Sequence, residues 1–143
     1  LARTARMRGI GEDVEPVACL SPLDVVLVNP GVPMATPRVF ARLGRPDMPA
    51  MPEPLPRWRD ASEFILWLAA QRNDLEAPAR AICPDIDRAL AHLRGTDACA
   101  LARMSGSGAT CFGLYPDAVT AKRAAARITQ ARPDWWVVAT RLR

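Results

Sequence analysis

Two short apolar stretches near the start of the chain have the composition of β-strands. Residues 14–20 and 24–30 are rich in β-branched side chains, and the turn-forming pair Ser21-Pro22 separates them. We therefore predict that these two stretches pair with each other as antiparallel strands.

Three further strands are predicted in the last third of the chain. They cover residues 98–105, 110–115 and 135–142. A glycine-rich turn, SGSGA, joins the first two of these strands. This arrangement predicts a strand, a tight turn and a second strand, followed later by a final strand.

Apolar residues at helical spacing lie between the predicted strands. The predicted helices are, in order, RVFARL after Thr36-Pro37, a helix from Asp60 or Ser62 to Gln71, residues 75–82, residues 84–94, and a helix from Pro116-Asp117 to Pro133. Thr36 is the expected N-cap, and Pro37 is the expected first helical residue. Asn73 and Asp74 are expected to cap the helix near Leu75, with substrate contact as the alternative.

These elements predict an α+β fold, with an antiparallel sheet of about four strands covered by helices on one face. The chain has 143 residues, half of them apolar, which suits a single domain with its own core. Residues 44–59 contain five prolines and no periodicity, so they predict a surface loop. The longest apolar run, residues 64–70, is far short of the roughly 20 residues that cross a bilayer, and no membrane partner is expected.

Positive charge exceeds negative charge, with 19 basic and 15 acidic residues and a net charge of +4. All the basic residues except Lys122 are arginines, whose planar head groups bind phosphates and carboxylates alike. A coding bias toward alanine and arginine gives the same composition, so the charge identifies no partner. A basic module that binds RNA is the alternative of a different class. Aromatic residues make up only 6%, however, and no RNA-recognition motif is present.

The cysteines and the start of the chain bear on its cellular setting. Cys19, Cys83, Cys99 and Cys111 are widely spaced, so zinc motifs are excluded and no metal site is predicted. Reduced, mostly buried thiols in a cytoplasmic protein are expected, since no signal peptide is visible. The first residue is not methionine, and we expect that a further segment precedes it.

The segment of greatest chemical interest is the serine-glycine loop, residues 105–110, with the sequence SGSGAT. Gly106 and Gly108 can adopt positive φ angles and bring backbone N–H groups close to a ligand. The loop also carries three hydroxyls, on Ser105, Ser107 and Thr110. A loop of this kind can bind an oxyanion. The simpler alternative is that it only connects the two strands as a hairpin turn. It matches neither the P-loop nor the dinucleotide-binding motif.

Four blocks of sequence, in this order, resemble those of the GHMP kinase superfamily. The blocks are RGIGE at 8–12, LVNPGVPMATPRVF at 27–40, RNDLEAPA at 72–79 and MSGSGATCFGLY at 104–115. The resemblance is closest to the superfamily's 4-diphosphocytidyl-2-C-methyl-D-erythritol kinases and extends over nearly the whole chain. It implies that residues 1–143 form the ferredoxin-like, substrate-side C-terminal domain of such a kinase.

The same resemblance implies an activity. These kinases transfer phosphate from ATP, usually with Mg²⁺, to the 2-hydroxyl of 4-diphosphocytidyl-2-C-methyl-D-erythritol in non-mevalonate isoprenoid biosynthesis. Their long phosphate loop, PxxxGLGGGSS, and their catalytic aspartate and lysine match no segment here. We therefore assign no catalytic residue, expect an N-terminal ATP-binding domain as partner, and expect no activity from this chain alone. A related kinase acting on homoserine, mevalonate or a sugar is the alternative.

Binding residues are implied at matched positions. Phe40 matches the aromatic residue that stacks on the cytosine ring of the substrate, and Thr36 and Pro37 lie in the same substrate-side loop. Six consecutive residues are implied to face the phosphates: Ser105, Gly106, Ser107, Gly108, Ala109 and Thr110. For Phe40 the alternative is a core-facing position on the short helix.

Four other residues are expected to be structural. Trp67 is expected in the core, and one of Trp135 and Trp136 is expected to be buried and the other exposed. His92 lies near a predicted helix end, where a positive charge is favourable.

Overall fold

A four-stranded antiparallel sheet is the centre of the structure, a computed structural model that describes residues 4–9, 11–17, 22–44 and 49–142. The strands are β1 (Ala5–Arg8), β2 (Asp13–Pro16), β3 (Leu23–Asn29), β4 (Leu101–Met104), β5 (Cys111–Tyr115) and β6 (Trp136–Leu142). The helices are α1 (Thr36–Ala41), α2 (Ala61–Ala69), α3 (Glu76–Ile82), α4 (Asp85–Arg94) and α5 (Ala118–Ala131). The sheet has the order β4-β5-β3-β6, and the α+β class is as predicted.

The predicted pairing of residues 14–20 with residues 24–30 is wrong. β2 pairs with β1 in a separate two-stranded hairpin, called here the β1–β2 hairpin. β3 is the inner strand between β5 and β6, so Val26 lies opposite Gly113 on one side and opposite Ala139 on the other. Both edges of β3 are therefore occupied by strands that are distant in sequence. The predicted turn at Ser21 lies outside the described residues.

Capping side chains set two of the helix starts as predicted. An oxygen of Asp60 accepts a hydrogen bond from the backbone N–H of Glu63 at 2.9 Å, and Asp117 accepts one from Thr120 at 2.7 Å. Each bond satisfies an N–H group that has no partner within its helix. The break between α3 and α4 falls at Cys83-Pro84, also as predicted.

The start of α1 differs from the prediction. The N-cap residue is Ala35, Thr36 is already helical, and no side chain caps the helix. The cap role predicted for Thr36 is wrong because its hydroxyl is hydrogen-bonded elsewhere, as described below. Pro37 lies in the first turn, where its missing N–H costs no hydrogen bond.

Helices cover both faces of the sheet, rather than one face as predicted. On the first face, α4 and α5 contribute Leu90 and Ile128 to a core that includes Val26. On the second face, α2 packs half-buried apolar residues against Val25 and Leu114. The cover on the second face does not extend over β6, where Trp136 and Leu142 stay exposed.

Two further findings concern the setting of the fold. In the described ranges, no helix is long and apolar enough to cross a membrane. Cys83 and Cys111 are buried and Cys99 is half-buried, and all three are free thiols. Cys19 lies outside the described residues.

Candidate functional site

The serine-glycine loop is a tight connection between β4 and β5. The backbone N–H of Ser105 donates to the carbonyl of Thr110 at 2.9 Å, and Gly108 N–H donates to the carbonyl of Ser105 at 3.0 Å. Gly106 and Gly108 have φ angles of +53° and +82°, which L side chains rarely adopt. The two glycines therefore let the chain reverse direction while its backbone stays close to the surface.

Three side chains from three different elements hold the loop. At the end of β3, Asn29 Nδ2 donates to Thr110 Oγ1 at 2.9 Å. At the start of α1, the hydroxyls of Thr36 and Ser107 share a hydrogen bond of 2.9 Å. Before α3, Asn73 holds the other side of the loop. The loop is thus fixed by tertiary contacts, beyond what a hairpin turn alone provides.

Asn73 is the most fully engaged of these three side chains. Its Nδ2 donates to the carbonyls of Met104 and Gly106, at 3.2 and 2.9 Å. Its Oδ1 accepts from the backbone N–H of Leu75 at 3.2 Å. Asn73 thus accepts a backbone N–H at the start of the helical segment, as predicted, although α3 itself begins at Glu76 with Leu75 as its N-cap residue and no side-chain cap. Asp74 instead pairs with Arg72 at 2.9 Å.

The loop has one packed side and one open side. Ala109 is buried, and a Cβ added to Gly108 would lie 2.9 Å from Met104 Sδ and 3.1 Å from Ile86 Cδ1. Ser105 and Gly106 are exposed. Among the described residues, the backbone N–H groups of the consecutive Gly106 and Ser107, outside the packed side, have no hydrogen-bond partner. Successive free N–H groups in a glycine-rich turn form a concave site that favours an anion.

α1 presents an aromatic ring to solvent. Val39 is its buried residue, whereas Phe40 is 53% exposed. Phe40 therefore does not face the core, which was the alternative to a binding role. Pro37 is also exposed. Thr36 begins the same helix and contacts the serine-glycine loop, so one short element joins the exposed ring to the loop.

Asp24, at the far end of β3 from the loop, and Cys111, directly after the loop, both have structural surroundings. Asp24 is 8% exposed and makes two hydrogen bonds to Arg141, at 2.9 and 3.0 Å. Cys111 follows the loop directly, and burial raises the pKa of its thiol to about 12. A neutral thiol and a paired carboxylate are poor candidates for a base.

The remaining sequence predictions have mixed outcomes. Trp135 is buried and Trp136 is exposed, as predicted, and His92 lies in the last turn of α4. His92 contacts Trp135 edge-to-face, with ring centroids 5.2 Å apart. Trp67 is half-buried in an aromatic group with Trp58 and is not fully in the core.

The sequence matches the family profile described as "GHMP kinases C terminal" over residues 48–134. The chain belongs to this GHMP kinase family. Its fold resembles a crystal structure of 4-(cytidine 5'-diphospho)-2C-methyl-D-erythritol kinase with a TM-score of 0.72 and 30% identity. That likeness covers 96% of this chain and 49% of the other.

Curated relatives give a consistent result for this GHMP kinase domain. It is 52% identical over 141 residues to a 4-diphosphocytidyl-2-C-methyl-D-erythritol kinase from Dinoroseobacter shibae, covering 99% of this chain and 49% of the relative. It is 54% identical over 141 residues to the protein of that name from Paracoccus denitrificans, covering 99% of this chain and 51% of the relative. The chain therefore spans about half the length of the curated relatives it matches.

Proposed function

We propose that this chain is the substrate-side, C-terminal domain of a kinase that phosphorylates the 2-hydroxyl of 4-diphosphocytidyl-2-C-methyl-D-erythritol with ATP. The reaction would move the γ-phosphoryl group from ATP to the substrate oxygen, and the hydroxyl proton would pass to a base. The products would be the 2-phosphate and ADP, as a step of non-mevalonate isoprenoid biosynthesis. The names of the relatives and the solved neighbour support this choice of substrate.

The observation that carries the proposal is the hydrogen bond between Thr36 and Ser107, at 2.9 Å. It connects the element bearing the exposed Phe40 ring to the loop with open N–H groups. A nucleoside diphosphate needs both features close together, an aromatic surface for its base and N–H donors for phosphate oxygens. This junction supplies the two kinds of contact from neighbouring elements.

In this proposal each part of the site has a separate task. Phe40 stacks on the cytosine ring, which contributes about 1 kcal/mol beyond the area it buries. The N–H groups of Gly106 and Ser107 bind phosphate oxygens, so that charge is neutralised without a reorganisation of the loop. Catalysis of phosphoryl transfer depends mainly on such positioning and charge stabilisation.

The residues described here do not fit a Mg²⁺ site. No group of three carboxylate, histidine or cysteine side chains with suitable geometry is found in the described ranges. Oxygen ligands, mostly carboxylates and phosphates, are what Mg²⁺ prefers, whereas the loop offers N–H donors. We derive no step through the metal on this chain, and we assign its protein ligands and the catalytic base to the N-terminal, ATP-binding domain of the full enzyme.

Three free thiols support a cytoplasmic location.

The test is a chimera in which this chain replaces the matching half of the Dinoroseobacter shibae relative. With ATP, Mg²⁺ and the cytidyl substrate, we expect the chimera and the parent to release ADP, and the isolated chain to release none. A folded chimera that releases no ADP, beside an active parent, would contradict the proposal. Titration of the chimera with cytidine diphosphate, mevalonate and homoserine separates the related kinases, since the cytidine compound alone should saturate.

The role of Phe40 has its own matched control. Phe40→Ala in the chimera should raise KM for the cytidyl substrate about fivefold, because about 1 kcal/mol of stacking is removed. Leu66→Ala removes a more exposed apolar side chain, on α2, and should leave KM unchanged. If Phe40→Ala and Leu66→Ala had the same KM, Phe40 would not be part of the substrate-binding site.

A further inference from the structure

The β1–β2 hairpin carries an apolar face that is open to solvent. Ala5, Met7, Val14 and Pro16 lie on this face, and all four are exposed. Met7 is 65% exposed and Val14 is 52% exposed, and the two lie directly opposite each other across the strand pair. Two large apolar side chains at one paired position form a contiguous patch.

The charged face of the hairpin is the one that contacts the rest of the molecule. Arg6 and Arg8 lie 2.9 and 2.8 Å from a carboxylate oxygen of Glu53 in the proline-rich segment. Arg6 also donates to the carbonyl of Met51 at 2.9 Å, and its side chain is only 10% exposed. Antiparallel strands normally turn their apolar side toward the protein and their polar side toward water. In this hairpin the order is reversed.

A hairpin of this kind needs a further contact. Two-stranded hairpins are at best marginally stable in water. Within the described ranges, β1 and β2 pair with each other and with no third strand, so backbone groups on both outer edges are also available. The apolar face and the strand edges together can bind a folded protein surface that carries apolar residues.

We propose that the apolar face of the β1–β2 hairpin docks against the N-terminal half that the full-length kinases carry. This inference rests on the proposed function, because it takes the chain to work as one half of such a kinase. The family profile begins at residue 48, so it covers neither the hairpin nor β3. Yet the Dinoroseobacter relative, about twice as long, aligns with 99% of the chain, which includes the hairpin. The hairpin thus accompanies the domain in a protein that has the other half.

Hydrogen exchange tests this docking directly. The amides of residues 5–16 should exchange at least tenfold more slowly in the chimera described above than in the isolated chain. Equal rates in the two proteins would overturn the proposal. The proposal would also be overturned if hydrogen exchange of residues 5–16 in the isolated chain became slower as the concentration of that chain was raised. A second copy of the chain would then be the partner.

Variants sharpen the test. Met7→Asp or Val14→Asp in the chimera should restore fast exchange in residues 5–16 and leave the melting temperature of the isolated chain unchanged. Leu66→Asp places the same charge on another exposed apolar residue, and it should leave hairpin exchange slow. If the aspartate variants kept the hairpin fully protected, its apolar face would not be the contact.

Failure of the docking and failure of the proposed function give different results. A chimera that protects the hairpin but releases no ADP keeps the docking and loses the function. A chimera that releases ADP while its hairpin exchanges rapidly supports the proposed function and overturns the docking. Should the chimera not fold, the same exchange measurement on the matching segment of the full-length Dinoroseobacter relative decides the question, and fast exchange there overturns the docking.

Discussion

The serine-glycine loop and the turn of the β1–β2 hairpin are both glycine-containing connections between antiparallel strands, but they are held very differently. Gly9 and Gly106 have similar φ angles, +62° and +53°. The loop receives hydrogen bonds from Asn29, Thr36 and Asn73 and rests on the core, whereas the hairpin is held to the molecule through arginines and Glu53. Glycine content therefore does not decide how a turn is held in place. The side chains around the turn do.

The largest effect should follow from filling the packed side of the loop. Gly108→Ala adds a Cβ 2.9 Å from Met104 Sδ at a φ of +82°, so overpacking and backbone strain combine. We expect a loss of about 3 kcal/mol of unfolding free energy. Gly106→Ala is the matched control, because its φ is also positive but no atom lies within 4 Å of the added Cβ. It should cost about 1 kcal/mol. Urea titrations of both variants measure the difference, and equal losses would mean that packing does not support the loop.

Removing the Asn73 side chain should have the next largest effect. Asn73→Ala leaves the carbonyls of Met104 and Gly106 and the N–H of Leu75 without their partner, and we expect a loss of about 2 kcal/mol. Asp74→Ala breaks a more exposed ion pair with Arg72 and should change stability little. Chemical unfolding compares the two, and a similar loss in both would contradict the anchoring role of Asn73.

Alkaline pH should weaken the sheet beneath the loop. Burial raises the pKa of Cys111 from 9.0 to about 12, so the folded protein keeps a proton that the unfolded chain releases. The stability linked to this thiol is complete below pH 9 and is lost as pH rises toward 12, by about 1 kcal/mol at pH 10.

Unfolding at pH 8 and pH 10 measures this loss. Cys111→Ala should flatten the pH dependence, although part will remain because burial also raises the pKa of Tyr115. If Cys111→Ala left the pH dependence of the unfolding free energy unchanged, the Cys111 thiol would not be the source of that dependence.

The smallest effect is expected on the hairpin side. Glu53→Gln weakens the ion pairs with Arg6 and Arg8, and we expect no measurable change in the free energy of unfolding because Glu53 and Arg8 are well exposed. Faster hydrogen exchange confined to residues 5–16 should be the visible result. A loss as large as that of Asn73→Ala would mean that the two turns are held equally firmly.

Local signals explain which elements were predictable from the sequence. Asp60 and Asp117 mark helix starts through hydrogen bonds to residues three positions later, and such short-range contacts are visible in the sequence. The serine-glycine loop between two strands is equally local. β1 was not predicted, since its sequence, ARMR, has neither β-branched residues nor an apolar run.

Contacts between distant residues explain the failures. β3 pairs with β6, more than a hundred positions away, so the neighbouring stretch at 14–20 was the wrong partner. Thr36 and Asn73 looked like helix caps because threonine and asparagine favour such positions. Thr36 instead bonds to Ser107, 71 residues further along, and Asn73 bonds to Gly106, 33 residues further along, in addition to Leu75. No local pattern carries information over such distances.

The inner position of β3 has a consequence for the protein during its synthesis. Asp24 and Arg141, which join β3 to β6, are 117 residues apart. At ribosomal speeds of about 5–20 residues per second, β3 would wait on the order of ten seconds for its last neighbour to leave the exit tunnel. Throughout that interval an apolar strand has an unsatisfied edge, which is the kind of segment that chaperones shield in a nascent polypeptide.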